Sequence, residues 1–175
     1  MFNFNIFKRI IYMYSVFVAI SILSFSMSYS QVKKGQAAPI FNLRNTNGEL
    51  VKPFQDIKKP IILSFFFTEC VNCKKEIKEL YELYSKYNSV FDVYLVGTSF
   101  KKDVNIVSDI KDFINEIGVD FVPLVDRYLE VINKYKIIKY PTIIIIDKNG
   151  NISYIFDNFN DSTFNEIEKI VKKYR

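Results

Sequence analysis

Cys70 and Cys73 are the only cysteines in the chain, three residues apart in Phe67-Thr68-Glu69-Cys70-Val71-Asn72-Cys73-Lys74. Two sulfurs one helical turn apart can make and break a disulfide, which is the chemistry of thiol–disulfide exchange. The chain has no histidine. That excludes His-based acid–base chemistry, His-containing metal sites and Cys-His or Ser-His nucleophile pairs. A zinc site wants about four ligands, more than a lone C-x-x-C without His supplies. A purely structural disulfide here would close a very short loop and constrain little of the unfolded chain.

A cysteine attacks as its thiolate, so the elements around the pair matter. Ile61-Ile62-Leu63-Ser64-Phe65-Phe66-Phe67 is almost wholly apolar, the pattern of a strand buried on both faces of a sheet. It runs directly into Cys70. After Cys73, Ile77, Leu80, Tyr84 and Tyr87 recur at helical spacing, with Lys74, Lys75, Glu76, Lys78 and Glu79 on much of the remaining surface. Strand, turn and helix would place the Cys70 sulfur beside the free backbone N–H groups of a first helical turn, where partial positive charge favours a thiolate. Cys70 is then the outer, attacking sulfur and Cys73 the resolving one.

The flanking segments complete an α/β pattern. Ile40–Arg44 alternates apolar and polar, Asn47-Gly48 marks a tight hairpin turn in which both residues tolerate positive φ, and Glu49–Val51 returns. Residues 90–99 form a second strand of a βαβ unit. Ile106, Ile110, Phe113, Ile114 and Ile117 mark a helix stopped by Gly118. Phe121–Val125 is a short strand that Pro123 assigns to an edge. Leu129, Ile132 and Tyr135 fit a short helix. Thr142–Ile146 and Ile152–Phe156 form an antiparallel pair across Lys148-Asn149-Gly150-Asn151. Thr163 and Glu166 match a capping box for a last helix. The order is ββ-β-α-β-α-β-α-β-β-α, a mixed central sheet with helices on both faces.

The chain of 175 residues is 49% hydrophobic, enough to build one packed domain. Setting aside Lys8 and Arg9 takes the formal charge from +5 to +3, and the lysines come at most in pairs. No basic run points to nucleic acid. Lys8 and Arg9 precede an uncharged, apolar stretch that ends in Ser28-Tyr29-Ser30. This is the pattern of a secretory signal, expected over residues 1–30, or of an uncleaved membrane anchor through residues 10–27. Either places the following domain, 35–175, outside the cytoplasm.

With these residues in view, the chain resembles the thioredoxin superfamily, in its TlpA/ResA-like extracytoplasmic branch. Gly35–Phe41 looks like that branch's entry segment, and Phe65–Glu76 like its active-site strand, turn and helix. Residues 104–125 resemble its central helix–strand insertion. Tyr140-Pro141-Thr142 and Asp147–Gly150 resemble its cis-proline loop and following hairpin. The resemblance implies a thioredoxin-like α/β fold with an N-terminal β-hairpin and no cofactor. It implies that Pro141 is cis and leaves the backbone of Tyr140 free to pair with a substrate strand, and that Glu76 handles protons for the cysteines. It also implies protein disulfide substrates, which in this branch can include apocytochrome c, and recharging by a membrane electron donor of the DsbD/CcdA type.

Some positions depart from the family. Glu69 stands where Trp is usual, and its charge opposes thiolate formation while Lys74 and Lys75 favour it. Ser64 stands where cytoplasmic thioredoxins carry a buried Asp, so that proton acceptor is missing. Val71-Asn72 between the cysteines contains neither Pro nor His, and the missing His, a cationic neighbour that would stabilise the reduced form of an oxidant, leans towards a reductant. Two other functions compete. A peroxiredoxin-like thiol peroxidase would need Thr or Ser at position 67, which is Phe. A non-catalytic thioredoxin-fold binding domain would not need an intact C-x-x-C.

Overall fold

The computed structural model of the protein describes residues 13–14, 32–101 and 105–175. Except for Met13 and Tyr14, the expected signal or anchor over residues 1–30 lies outside them. The chain divides into two compact units, Met1–Ser30 and Gln31–Arg175, and the second carries every element below.

A small hairpin pairs β1 (Leu43–Arg44) with β2 (Leu50–Val51). The main sheet is built from β3 (Ile61–Phe67), β4 (Asp92–Thr98), β5 (Leu124–Val125), β6 (Thr142–Ile146) and β7 (Ile152–Phe156). Its spatial order is β5-β4-β3-β6-β7. β3, β4 and β5 run parallel, and β6 and β7 add antiparallel. The helices are α1 (Val71–Tyr87), α2 (Ile106–Ile117), α3 (Glu130–Tyr135) and α4 (Asp161–Lys173). This is the expected order of elements, and the architecture is a thioredoxin-like α/β fold.

The unbroken apolar run of β3 is explained by its central position. Ile62 and Phe66 face a core shared with α1, α2 and α4, whereas Ile61, Leu63 and Phe65 face a second core with α3 and the amino-terminal lead-in. Both faces are dry, so alternation disappears. On the second face Tyr135 donates from its hydroxyl to the Pro39 carbonyl at 2.9 Å, tying α3 to the lead-in. β5, carrying the insertion's strand, sits at the edge as Pro123 required, but it holds only Leu124–Val125.

Local chemistry overrides two of the sequence expectations and supplies one cap that the sequence pattern did not name. The hairpin turn is organised by Asn45, whose Oδ1 accepts from the backbone N–H of Asn47 and Glu49 at 3.0 Å each. Only Gly48, not Asn47, takes a positive φ there. The capping box at Thr163 and Glu166 is not used: α4 begins three residues earlier, where Asn160 Oδ1 accepts from the Thr163 N–H at 3.0 Å. Thr163 instead donates its hydroxyl to the Asn158 carbonyl. Lastly, α3 is capped from a distance. The buried carboxylate of Asp126 accepts from the N–H groups of Glu130, Val131 and Ile132 at 2.8–3.0 Å. This satisfies three of the four free donors of that helix end.

Candidate active site

The parallel strands β3 and β4 end side by side, and the chain leaves β3 through Thr68-Glu69 into α1. Cys70 is the N-cap of α1, extended at φ −87° and ψ 105°. Its Sγ accepts from the backbone N–H of Cys73 at 3.1 Å, so the first helical turn donates to this sulfur. Cys70 and Cys73 are joined in a disulfide with Sγ–Sγ of 2.02 Å and Cα–Cα of 5.3 Å. The two sulfurs differ in access: Cys70 is 7% exposed and Cys73 is 0% exposed.

Cys73 lies on the buried stripe of α1 with Glu76, Ile77, Leu80 and Leu83. The helical pattern placed Glu76 among the surface charges, and that placement is overturned. It is 0% exposed and accepts from the Ser64 hydroxyl at 3.1 Å. Ser64 projects from the middle of β3 between Ile62 and Phe66, onto the face that α1 covers. The carboxyl missing at position 64 is therefore supplied from the facing helix. Burial pushes the Glu76 carboxyl up to about 8, against a lowering by the Ser64 hydrogen bond and with a small further push from Glu79. The cause is desolvation, which penalises the ionised form.

Lys74 and Lys75 are not free to bias Cys70. Lys74 pairs with Glu116 of α2, and Lys75 pairs with Asp161 of α4 and with Glu79. Glu69 accepts from the Thr68 hydroxyl at 3.1 Å. The single Thr68 proton is shared with Asp109 of α2, the nearer acceptor, and Asp109 binds Lys101 at 2.6 Å. Burial raises the Asp109 carboxyl, but the hydrogen bonds from Lys101, Ser99 and Thr68 more than reverse it and hold the group below its ordinary value. Asp109 thus bolts the insertion helix to the turn that carries Cys70. Nothing in the local sequence marks this contact, since Thr68 and Asp109 are 41 residues apart.

The Tyr140–Pro141 peptide bond is cis and leads into β6, whose Thr142 pairs with Phe65 of β3. The Tyr140 ring packs edge-on against Phe67 at 5.0 Å and near Phe100 at 6.3 Å. Burial pushes the Tyr140 hydroxyl up to about 12. Phe100, which no sequence signal singled out, is half exposed beside this cluster, and Val71, next to Cys70, is largely exposed.

A cysteine disulfide at the mouth of a parallel β-α turn, on a thioredoxin-like fold, defines a Cys/Cys redox protein of the ResA/TlpA-like kind. The chain belongs to the AhpC/TSA family, which its residues 34–155 match. It is 26% identical over 148 residues to the thiol-disulfide oxidoreductase ResA of Bacillus thuringiensis, spanning 79% of this chain and 77% of that one. It is 28% identical over 140 residues to ResA of Geobacillus kaustophilus, spanning 75% and 74%. Among solved structures, the thioredoxin domain of a thiol-disulfide oxidoreductase from Bacteroides vulgatus is similar, with 26% identity and a TM-score of 0.67 over 80% of this chain and 99% of that one. A Chlorobium tepidum chain assigned as a thiol:disulfide interchange protein DsbE shares the fold, with 22% identity and a TM-score of 0.73 over 82% and 98%.

Proposed function

We propose that this protein is a thiol–disulfide oxidoreductase that reduces disulfides of exported proteins, with Cys70 as nucleophile and Cys73 as resolving thiol. The observation that carries it is the asymmetry of the pair: Cys70 caps α1 at the edge of the fold, and Cys73 is sealed behind it. In the reduced protein the Cys70 thiolate attacks one sulfur of a substrate disulfide. That S–S bond breaks, one substrate thiolate leaves, and a mixed disulfide forms. Glu76, once ionised, takes the Cys73 proton, and the Cys73 thiolate attacks Cys70 Sγ; Glu76 then releases that proton towards the departing substrate thiolate. The second substrate thiolate leaves, and the Cys70–Cys73 disulfide closes. Two electrons pass to the substrate, and the two protons released by the cysteines end on its thiols.

The buried Glu76 suits the second step because its carboxyl, raised to about 8, approaches the proton affinity of a thiol. Tyr140, whose ring packs on Phe67 three residues before Cys70, precedes the cis Pro141, and its backbone would receive a substrate strand. Electrons return from a membrane donor of the DsbD/CcdA class. Residues 1–30 act as signal or anchor, placing domain 35–175 in the cell envelope, with apocytochrome c among the substrates. The absence of His between the cysteines supports the reductant direction. A peroxidase would need a hydroxyl residue at position 67, and Phe67 instead packs its ring against Phe100 and Tyr140.

Cys70→Ser is expected to abolish reduction of insulin disulfides, and Cys73→Ser to accumulate mixed disulfides with its partners on non-reducing gels. Full turnover by Cys70→Ser refutes the assignment. The proteins trapped by Cys73→Ser identify substrate and electron donor.

A further inference from the structure

An open groove of about 550 Å³ lies at the β5 edge, between the β1–β2 hairpin and the start of α3. Its lining includes Arg44, Arg127, Tyr128, Leu50, Val107 and Val125. The cation type is informative. Of 24 basic residues only four are arginines, Arg9, Arg44, Arg127 and Arg175, and two of these meet in this one groove. Arginine differs from lysine in its planar fork of donors, which grips a carboxylate with two parallel hydrogen bonds.

The acids of the groove are already engaged. Asp126 spends its oxygens on the backbone N–H groups of α3, and Glu130 pairs with Lys134 at 2.8 Å. Arg44 gives one donor to the Gly48 carbonyl at 2.6 Å, leaving four of its five. Arg127 is exposed and has no hydrogen-bond or ion-pair partner among the described residues. The exposed rings and chains beside it, Tyr128 and Leu50, offer apolar contact.

The groove is also near the disulfide. Val125 stands in register with Gly97 of β4, and Gly97 with Phe66 of β3. Phe66 lies four residues before Cys70. Two inter-strand steps amount to about 10 Å, and the turn from Phe66 to Cys70, closed by the Cys70 N–H on the Phe67 carbonyl, adds up to about 10 Å roughly at right angles, so the groove lies about 10–15 Å from the disulfide, a span that three to five extended residues cover. The first turn of α2 separates the two places: Val107 lines the groove, and Asp109 holds Thr68 beside the disulfide.

We infer that the Arg44–Arg127 groove binds an acidic segment of the protein substrate, three to five residues from the cystine being reduced. This deepens the proposed oxidoreductase function and rests on it. The test compares two disulfide peptides, identical except for a Glu-Glu or a Lys-Lys pair four residues from the cystine. Each reacts with the reduced full chain under single-turnover conditions at low salt. Hydroxyethyl disulfide, which carries no charge, reports exchange chemistry alone. The acidic peptide is expected to react about 5- to 20-fold faster than the basic one, the range for one or two exposed charge pairs plus steering. Raising the salt to about 0.5 M should shrink that ratio. Arg127→Gln should remove most of it and Arg127→Glu should reverse it, with hydroxyethyl disulfide rates unchanged. Arg127 makes no contact that folding needs, so these variants remain interpretable. Equal rates for the two peptides, or an acidic preference that survives in an Arg44→Gln/Arg127→Gln protein, overturn the inference while leaving the oxidoreductase in place. No reaction of the wild type with hydroxyethyl disulfide overturns the oxidoreductase itself, and the groove assignment with it.

Discussion

Replacing Glu76 by Gln tests how completely the carboxyl is buried. In the folded protein burial holds it up to about 8, against an ordinary value of 4.5. Between those limits the folded state keeps a proton that the unfolded chain has released. Stability attributable to Glu76 is therefore complete below about 4.5, falls as pH rises through the window, and levels off above about 8. At about 1.4 kcal/mol per tenfold change in proton affinity, the total is about 5 kcal/mol, of which about 4 kcal/mol falls between pH 5 and pH 9. Gln keeps the volume and a partner for Ser64 but cannot ionise. Oxidised Glu76→Gln is expected to match the wild type within about 1 kcal/mol at pH 5 and to exceed it by about 4–5 kcal/mol at pH 9. Facing or neighbouring groups, Ser64 of β3, Glu79 of α1 and, beyond Glu79, Lys75 of α1 and Asp161 of α4, are present in both proteins and largely cancel in the difference. Urea unfolding at pH 5, 7 and 9 measures it. Parallel pH profiles for the two proteins would refute a buried, proton-retaining Glu76.

Two further substitutions probe the scaffold. Asp126→Ala strips three backbone N–H groups of α3 of their acceptor, and a loss of about 2–4 kcal/mol is expected in denaturant titration; a change below about 0.5 kcal/mol would show that α3 does not depend on this cap. Gly97→Ala would drive a Cβ into the Phe66 ring, which is fully buried and stacked on Phe113 at 5.4 Å. A loss of about 1–3 kcal/mol is expected, and an unchanged midpoint in thermal or urea unfolding would mean that the ring relocates at no cost.

The elements that announce themselves by local pattern were legible in the sequence. The dry run Ile61–Phe67, the helix after Cys73 and the β-branched Thr142–Ile146 each carry a periodicity set by what covers them. What escaped was chosen between elements. Thr163 has the chemistry of a cap, yet Asn160 takes the position, because two competent capping residues three apart cannot be ranked without the chain's path into α4. The Thr68–Asp109 contact joins a turn to a helix across the sheet edge and has no local signature. Asp126, directly before a short apolar-periodic segment, was findable as a cap signal.

Ser64 and Glu76 show the same limit and what it does to the chemistry. Taken alone, Ser64 reads as a lost proton acceptor and Glu76 as one more surface charge of a Lys- and Glu-rich helix. Their 3.1 Å contact brings a carboxyl to Ser64 from the helix that faces it, on the same buried stripe as Cys73. Its burial matters for the rate of the proposed cycle. A thiol ordinarily titrates near 8.5, so passing its proton to a solvated Glu near 4.3 would be uphill by about 6 kcal/mol. Passing it to an ionised Glu76, raised to about 8, is far closer to even, at the cost of first ionising a carboxyl that keeps its proton below about pH 8. From that ionised form the negative charge moves within one buried stripe of α1. The desolvation that makes an ionised Glu76 unfavourable for stability is, on this account, the same quantity that makes it able to deprotonate Cys73.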